Sequence, residues 1–381
     1  MSVLIRTNLP LEKLLEEMFS AGSRTDFPDR NANFWIRYIN IKQWIASKYY
    51  QNAGTGLARD GERFTKHDIT HVDDVIETAG YLLGMPINGT NSANFTLLHP
   101  YEIYVLLFAI LLHDAGNAKG RGGHELEVTM IIKEMGELPG LDSVHRKLIA
   151  SIARAHGGRT PDGGKDTILH AIQEPIACIG QLTIRSRMLA AVLRFADELA
   201  ENPNRADDQA LKKPYTPSES AIHNLYCKII RSRVDFQVRQ VQLSYLIEKE
   251  RLNEEFCYEK GNPGTILLVD YIANRVDKVD RERRYCNKFM CQAGFGYDSI
   301  KVKLEVQDEN DNILEALETD LADEGYPPAG LPIKEKDSRF DGRKLRDKHC
   351  GSADERKPAA SRQLSWLSLL RSFQKKFFPG E

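Results

Sequence analysis

No two of the six cysteines, at positions 178, 227, 257, 286, 291 and 350, are spaced C-x-x-C. Scattered thiols of this kind fit a reducing compartment better than a disulfide framework or a cysteine zinc site. An excess of charge of one sign is also missing. A net charge of −2 over 381 residues argues against a protein that coats nucleic acid through a general positive field. No apolar run approaches the ~20 residues that cross a bilayer. The opening stretch MSVLIRTNLPLEKLLEEMF carries acids and no unbroken apolar segment, so it reads as neither signal peptide nor anchor, and a cytoplasmic location is expected. Neither G-x-x-x-x-G-K-[ST] nor G-x-G-x-x-G occurs, which removes the P-loop kinase and dinucleotide readings. The absence of G-x-S-x-G counts against a serine hydrolase of that type. No internal repeat is apparent.

What is present is a helical pattern through the first half of the chain. Amphipathic spacing predicts helices over 10–19, 34–49, 70–84, 100–114, 123–136, 142–155 and 185–200, separated by breaks such as GMPINGTNSAN. From about residue 221 the stretch AIHNLYCKIIRSRVDFQVRQVQLSYLI is rich in β-branched and aromatic residues and predicts two strands with a tight connection near Ser232. A return to helical spacing follows, then the alternating strand DSIKVKLEVQD. Between Leu304 and Glu324 stand nine acidic residues and no basic ones, followed by a polar, charged stretch that predicts a disordered linker. The final SRQLSWLSLLRSFQKKFFPGE places Trp366, Leu367, Leu370 and Phe373 amid Arg and Lys. It reads as a basic amphipathic segment suited to a protein groove, an anionic membrane surface or its own domain. The expected fold class is mainly α: a helical bundle over 1–210, an α+β subdomain over 211–310, and a linker with the amphipathic segment over 311–381.

One stretch, YVLLFAILLHDAG at 104–116, ends a run of apolar and aromatic side chains in a histidine and an aspartate. An ionised carboxylate at the inner end of a buried helix costs several kcal/mol unless something pairs with it. A metal ion and a Lys or Arg are the two candidates. His71 lies on the apolar stripe of its helix with Val75, Thr78, Ala79 and Leu82. Asp197 sits at the edge of the stripe formed by Leu189, Val192, Leu193, Ala196 and Ala200. Asp197 could alternatively cap a neighbouring helix or pair with Arg194 or Arg205. His124 follows in a glycine-rich turn, and His156 ends a helix before two glycines. Helices converging with imidazole and carboxylate ligands are what a bundle-core metal site requires. Such ligands suit Mn, Fe, Ni, Co, Zn or Mg without selecting among them.

The order His71, His113–Asp114, Asp197 resembles the signature of the HD superfamily of metal-dependent phosphohydrolases. The first histidine falls in H-x-x-x-V, the pair closes an apolar helix, and the last aspartate lies in A-D-x-L. His124 in GGHE and His156 in RAHGG match the two further histidines of the binuclear branch. The stretch ILLVDYIANRVDKVDRERRYCNKFM and its flanking strands look, more loosely, like the α+β extension of HD proteins near bacterial anti-phage loci.

The resemblance implies an HD-type bundle that hydrolyses a phosphate ester with two divalent cations. Asp114 would bridge them, with His71, His113 and Asp197 on one and His124 and His156 on the other. It also implies a nucleotide or nucleic-acid substrate. Lys119, Arg121 and Arg159 are then candidates to clamp phosphate oxygens, or else solvated loop cations. Glu125 and His67 could orient a ligand imidazole. The same ligand set is also that of a di-iron oxygenase like myo-inositol oxygenase, the first rival; the second is a non-enzymatic nucleotide sensor with a degenerate site, against which the complete ligand set argues. Oligomers are compatible with all three.

Overall fold

A computed structural model describes residues 5–20, 26–50, 65, 67–85, 98–119, 127–207, 218–257, 264–323 and 332–351. The helices of the first half are α1 (Pro10–Ser20), α2 (Phe34–Ile45), α3 (Ile69–Leu82), α4 (Pro100–Leu112), α5 (Val128–Glu134), α6 (Ser143–Arg154), α7 (Thr167–Ala171) and α8 (Ser186–Leu199). Six of the seven predicted helices are met within a few residues, and Val128–Glu134 is shorter than its reading.

Helix α4 is the pillar. Every residue from Tyr101 to Leu112 is buried, and a fully buried Leu, Ile or Phe is worth ~1.5–3 kcal/mol. An all-apolar surface of this kind can only sit at the centre of a bundle, and α4 packs against α1, α2, α6 and α8. Its entry is fixed by reciprocal caps: His99 Nδ1 accepts from the Tyr101 amide at 3.3 Å, and the Glu102 carboxylate accepts from the His99 amide at 3.0 Å. Glu102 also accepts from Arg185 at 2.6 Å. That ion pair ties the start of α4 to the start of α8, and so sets the two acid-bearing helices in register. A second buried ion cluster anchors α3, where Lys42 Nζ lies 2.6 Å from Glu12 and 2.7 Å from Asp73.

Where two strands are read from residue 221 onward, the structure forms a helix first. Helix α9 (Ser218–Ile229) buries Ile222, Leu225 and Tyr226 at a helical rather than an alternating period. After a short earlier hairpin of β1 (Ala177–Ile179) and β2 (Leu182–Ile184), strand β3 (Ile230–Asp235) follows α9 and pairs with β4 (Gln240–Glu248), and Ser232 lies mid-strand opposite Leu243. The turn comes later, at residues 236–239, where Arg239 takes φ 51° and Asp235 accepts from the Gln237 amide. No Gly or Asn-Gly marks it, so the pattern carries no turn signal. Gly84, just past α3, has φ +85°, and a Cβ there would lie 2.9 Å from the Phe236 ring of this hairpin. A side chain at that position would push the hairpin off the bundle.

Past the short pair β5 (Glu255–Cys257) and β6 (Thr265–Leu267), the long helix α10 (Leu268–Met290) packs along α8 and leads to β7 (Ser299–Gln307) and β8 (Ile313–Ala322). The sheet order is β3-β4-β7-β8, with the central pair parallel and the outer pairs antiparallel. A parallel pair needs a crossover, and α10 supplies it.

The acidic stretch is therefore strand, not linker. Leu317 and Leu321 face the core, while Glu318 pairs with Lys301 at 2.5 Å across the ladder. Acids on an outer strand also guard its free edge. The polar stretch after Glu324, read as a disordered linker, is likewise corrected for residues 332–351. These form α11 (Ile333–Lys336) and α12 (Gly342–Cys350) and bury Ile333, Phe340 and Leu345 against the core. Three spaced apolar anchors suffice here because α10 already offers a surface. The amphipathic segment 361–381 lies outside the described residues. So does the stretch 208–217 around the boundary read near 210, and buried side chains on both sides of it belong to one continuous core.

Candidate metal centre

Four pieces of backbone converge at one end of α4. His71 sits on the first turn of α3, after Asp68, whose carboxylate accepts from the Thr70 amide at 2.9 Å. His113 and Asp114 follow α4 directly, and His113 is fully buried. His156 stands two residues past α6, and Asp197 lies in the last turn of α8.

The distances sort the ligands. His71 Nε2 lies 3.1 Å from Asp197 Oδ1 and 3.7 Å from Asp114 Oδ2. His113 Nε2 lies 3.6 Å from each of the same two oxygens. His156 Nε2 approaches the other oxygen of Asp114, Oδ1, at 3.8 Å. One carboxylate thus faces His71 and His113 with one oxygen and His156 with the other.

The imidazoles are held by their far nitrogens. His113 Nδ1 donates to the Ile110 carbonyl at 2.7 Å, and His156 Nδ1 donates to the Ala153 carbonyl at 2.6 Å. Each bond satisfies a carbonyl that its helix end leaves open. It also fixes the ring so that Nε2 points at the carboxylates, the arrangement that orients metal-ligating histidines. Tyr50 donates its hydroxyl to the Leu111 carbonyl at 3.0 Å and braces the same helix end. Among the described residues, buried His113 Nε2 has no hydrogen-bond partner. The donor set and this open nitrogen fit a divalent cation held by imidazole and carboxylate.

The electrostatics agree. Burial opposes a charge on His113, but the Asp114 and Asp197 carboxylates override it and raise its pKa up to about 9. Burial likewise opposes ionisation of Asp197, yet the facing imidazoles of His113 and His71 hold it well below the ordinary range. Without a cation the site therefore stores a proton on His113. A pKa raised on folding stabilises the fold fully below the ordinary histidine value of ~6.5, and that gain is lost as pH climbs through the folded value. Chelator-treated protein is expected to lose melting temperature between pH 7 and 9, and metal-loaded protein to lose much less. Parallel melting curves with and without chelator check this, and identical pH profiles would contradict it.

Other sequence-read residues fall variously. Lys119 closes the short 3-10 turn Ala115–Lys119, but its side chain, with Arg121, His124 and Glu125, lies outside the described residues. Arg159 donates to the Gly163 carbonyl at 2.8 Å. His67 Nε2 is 4.0 Å from Asp114 Oδ2 and accepts from Arg205 at 3.1 Å. The alternative partners of Asp197 are engaged elsewhere: Arg194 pairs with Glu282 at 2.6 Å, and Arg205 with Glu201 at 3.1 Å.

Sequence reasoning missed the support behind α8. Glu198 pairs with Arg275 at 3.2 Å and Lys278 at 2.6 Å, so α10 grips the helix that carries Asp197. Nothing in the pattern of α10 distinguishes these two cations from those that pair within the helix, such as Arg284 with Asp280. A second cluster, Glu201, His223 and Cys227, is close enough to hold an ion, but its chemistry is satisfied already. Burial opposes the Glu201 charge, yet Arg205, His223 and Arg275 hold its carboxyl below the usual range, while burial pushes the Cys227 thiol up. A protonated thiol beside a carboxylate already paired with arginine is not a metal ligand.

No helix among the described residues is long and apolar enough to cross a membrane. No curated protein sequence matches the chain. The sequence profile of the HD-CE family matches residues 61–279, which takes in His71, His113, Asp114, His156, Asp197, helix α9 and the first half of α10, with Arg275 and Lys278. With more than half of its length matched, the chain belongs to the HD-CE family of HD-type domains.

Proposed function

We propose that the protein is a metal-dependent phosphohydrolase acting on a phosphate ester of a nucleotide or nucleic acid. One observation carries the reading most directly: Asp114 turns Oδ2 toward His71 and His113 and Oδ1 toward His156. That two-sided carboxylate supports a pair of cations sharing Asp114, the first held with His71, His113 and Asp197 and the second with His156 and, by resemblance, His124. Cations bound there would supply a water of lowered pKa and positive charge against the phosphoryl oxygens. The chain's own residues do the placing. The Ile110 and Ala153 carbonyls hold the His113 and His156 rings by their Nδ1 protons, so neither ring can swing away when substrate enters. Arg159, and Lys119 and Arg121 by their place in the sequence just before His124, would grip the phosphate oxygens that do not react. The likeness of the C-terminal part to HD proteins of bacterial conflict loci supports a role in anti-phage defence.

Metal analysis of the purified chain, followed by a panel of nucleotides and oligonucleotides with Mn²⁺, Mg²⁺, Ni²⁺ and Fe²⁺, tests this. The expected result is metal-dependent release of phosphate or nucleotide without oxygen uptake. Oxygen consumption on Fe²⁺ without hydrolysis would support the di-iron oxygenase instead, and binding without turnover would support a sensor.

A further inference from the structure

Among the described residues three imidazoles face Oδ2 of Asp114: His113 at 3.6 Å, His71 at 3.7 Å and His67 at 4.0 Å. His67 stands four residues before His71, the spacing at which two histidines of one helix share a metal ion. Distance and spacing would both make His67 a further ligand, yet its ring is engaged in another way. Arg205 Nη2 lies 3.1 Å from His67 Nε2. A guanidinium only donates, so this nitrogen accepts, and Nδ1 carries the proton and donates it to the Thr65 carbonyl at 2.6 Å. His71 and His113 instead turn Nε2 toward Asp197 as well, at 3.1 and 3.6 Å.

The arginine is seated for this contact. It closes the short 3-10 turn Pro203–Arg205 past α8, and Asn202, which caps that turn, donates to Asp74 of α3 at 2.6 Å. The turn is thereby tied to the helix that carries His71. Arg205 Nη1 pairs with Glu201 Oε1 at 3.1 Å, so one fork is divided between Glu201 and His67. Glu201 also accepts from the Cys227 thiol at 2.9 Å. Arg205 is 4% exposed, and a buried guanidinium held at both ends cannot leave without stranding a charge.

We propose that Arg205 is a positioning residue: by occupying Nε2 of His67 it keeps that imidazole off the metal and leaves the place beside Asp114 Oδ2 open to water or substrate. The proposal rests on the metal-centre reading and adds which nearby imidazole is excluded, and by what. A bare imidazole nitrogen is a ready ligand for a divalent cation. A cation whose last position is filled by protein is structural, whereas a catalytic one keeps a position open.

The test uses the full chain with Co²⁺ alone as the probe, because the visible band of bound Co²⁺ follows its ligands and geometry. Affinity is read by competition with a chelator. Arg205→Met removes both donors and bares His67 Nε2. Co²⁺ should then bind roughly ten-fold or more tightly, the scale on which groups around a metal site change its affinity, and its spectrum should change. Arg205→Met with His67→Phe should regain the wild-type spectrum and lose most of the added affinity, since no imidazole is left to enter. His67→Phe alone should bind Co²⁺ as the wild type does, which keeps the test decisive even where Arg205→Met fails to fold. A double variant that keeps the tighter binding would reduce Arg205 to a repelling charge and overturn the proposal. An unchanged spectrum in folded Arg205→Met would overturn it too, as would a loss of affinity in His67→Phe, which would make His67 a ligand. A wild type that binds no Co²⁺ would overturn the metal-centre reading, and the proposal with it. The expected Co²⁺ behaviour without hydrolysis of any phosphate ester would overturn the hydrolase reading alone.

Discussion

Asp114→Ala is expected to abolish turnover, by at least ~10²–10³-fold, and to strip the protein of most bound metal while its helical content stays unchanged. Among the described residues this carboxylate faces His71 at 3.7 Å, His113 at 3.6 Å and His156 at 3.8 Å, with His67 at 4.0 Å. The fold should survive because the substitution removes a charge rather than stranding one. His113, deprived of the carboxylate that does most to raise its pKa, becomes neutral, and a neutral buried imidazole still bonded to the Ile110 carbonyl costs little. The rings should keep their places, since the Ile110 and Ala153 carbonyls hold them independently of Asp114. Metal content by mass spectrometry, steady-state turnover and circular dichroism together check the prediction. A variant that keeps its metal and activity would remove Asp114 from the centre of the site, and one that unfolds would make it a structural residue.

Lys42→Met should be the most destabilising single change outside the site, costing ~3–5 kcal/mol and lowering the melting temperature by roughly 10 °C. Lys42 is 1% exposed, and its ammonium stands between Glu12 at 2.6 Å and Asp73 at 2.7 Å while donating to the Arg6 carbonyl at 2.8 Å. Tyr38 donates to the same Glu12 oxygen at 2.6 Å. Methionine matches the stem of lysine in volume, so the loss is electrostatic: two carboxylates remain in a space that excludes water. Burial already raises the Asp73 carboxyl in the intact protein despite Lys42 and Arg6, and without the ammonium it should rise further. A carboxyl raised on folding binds protons more tightly in the native state, so the variant should regain stability as pH falls from 7 to 5. Adding Glu12→Gln and Asp73→Asn should recover part of the loss. Because Asp73 and His71 share α3, metal affinity should weaken in Lys42→Met as well. Chemical denaturation at the two pH values checks the sign, and a loss below 1 kcal/mol would mean that water reaches the cluster.

The sequence by itself determined the helical bundle and the inward positions of His71, His113, Asp114 and Asp197, because both are written in local periodicity. A helix as apolar as 104–112 has no stable place except the centre, and a histidine and aspartate at its end must then face other interior groups. His71 and Asp197 were legible for the same reason, each lying on or beside an apolar stripe at a 3.6-residue period. Residues 218–229 and 313–322 were misread because their burial is decided by what lies against them. Ile222, Leu225 and Tyr226 are core only because the chain behind them is folded there, and Leu317 and Leu321 are too few to reveal alternation among so many acids.

Only the tertiary structure decided which charges meet. Lys42, Glu12 and Asp73 are remote in sequence, as are Glu102 and Arg185, or Glu198 and Arg275. An ion pair between elements leaves no periodic trace, since either partner alone looks like a surface residue. The division of Asp114 between two sets of imidazoles has the same origin. Sequence can place a carboxylate at a helix end, but the direction of each oxygen is set by how α3, α6 and α8 pack around α4, and that packing is a property of the whole core.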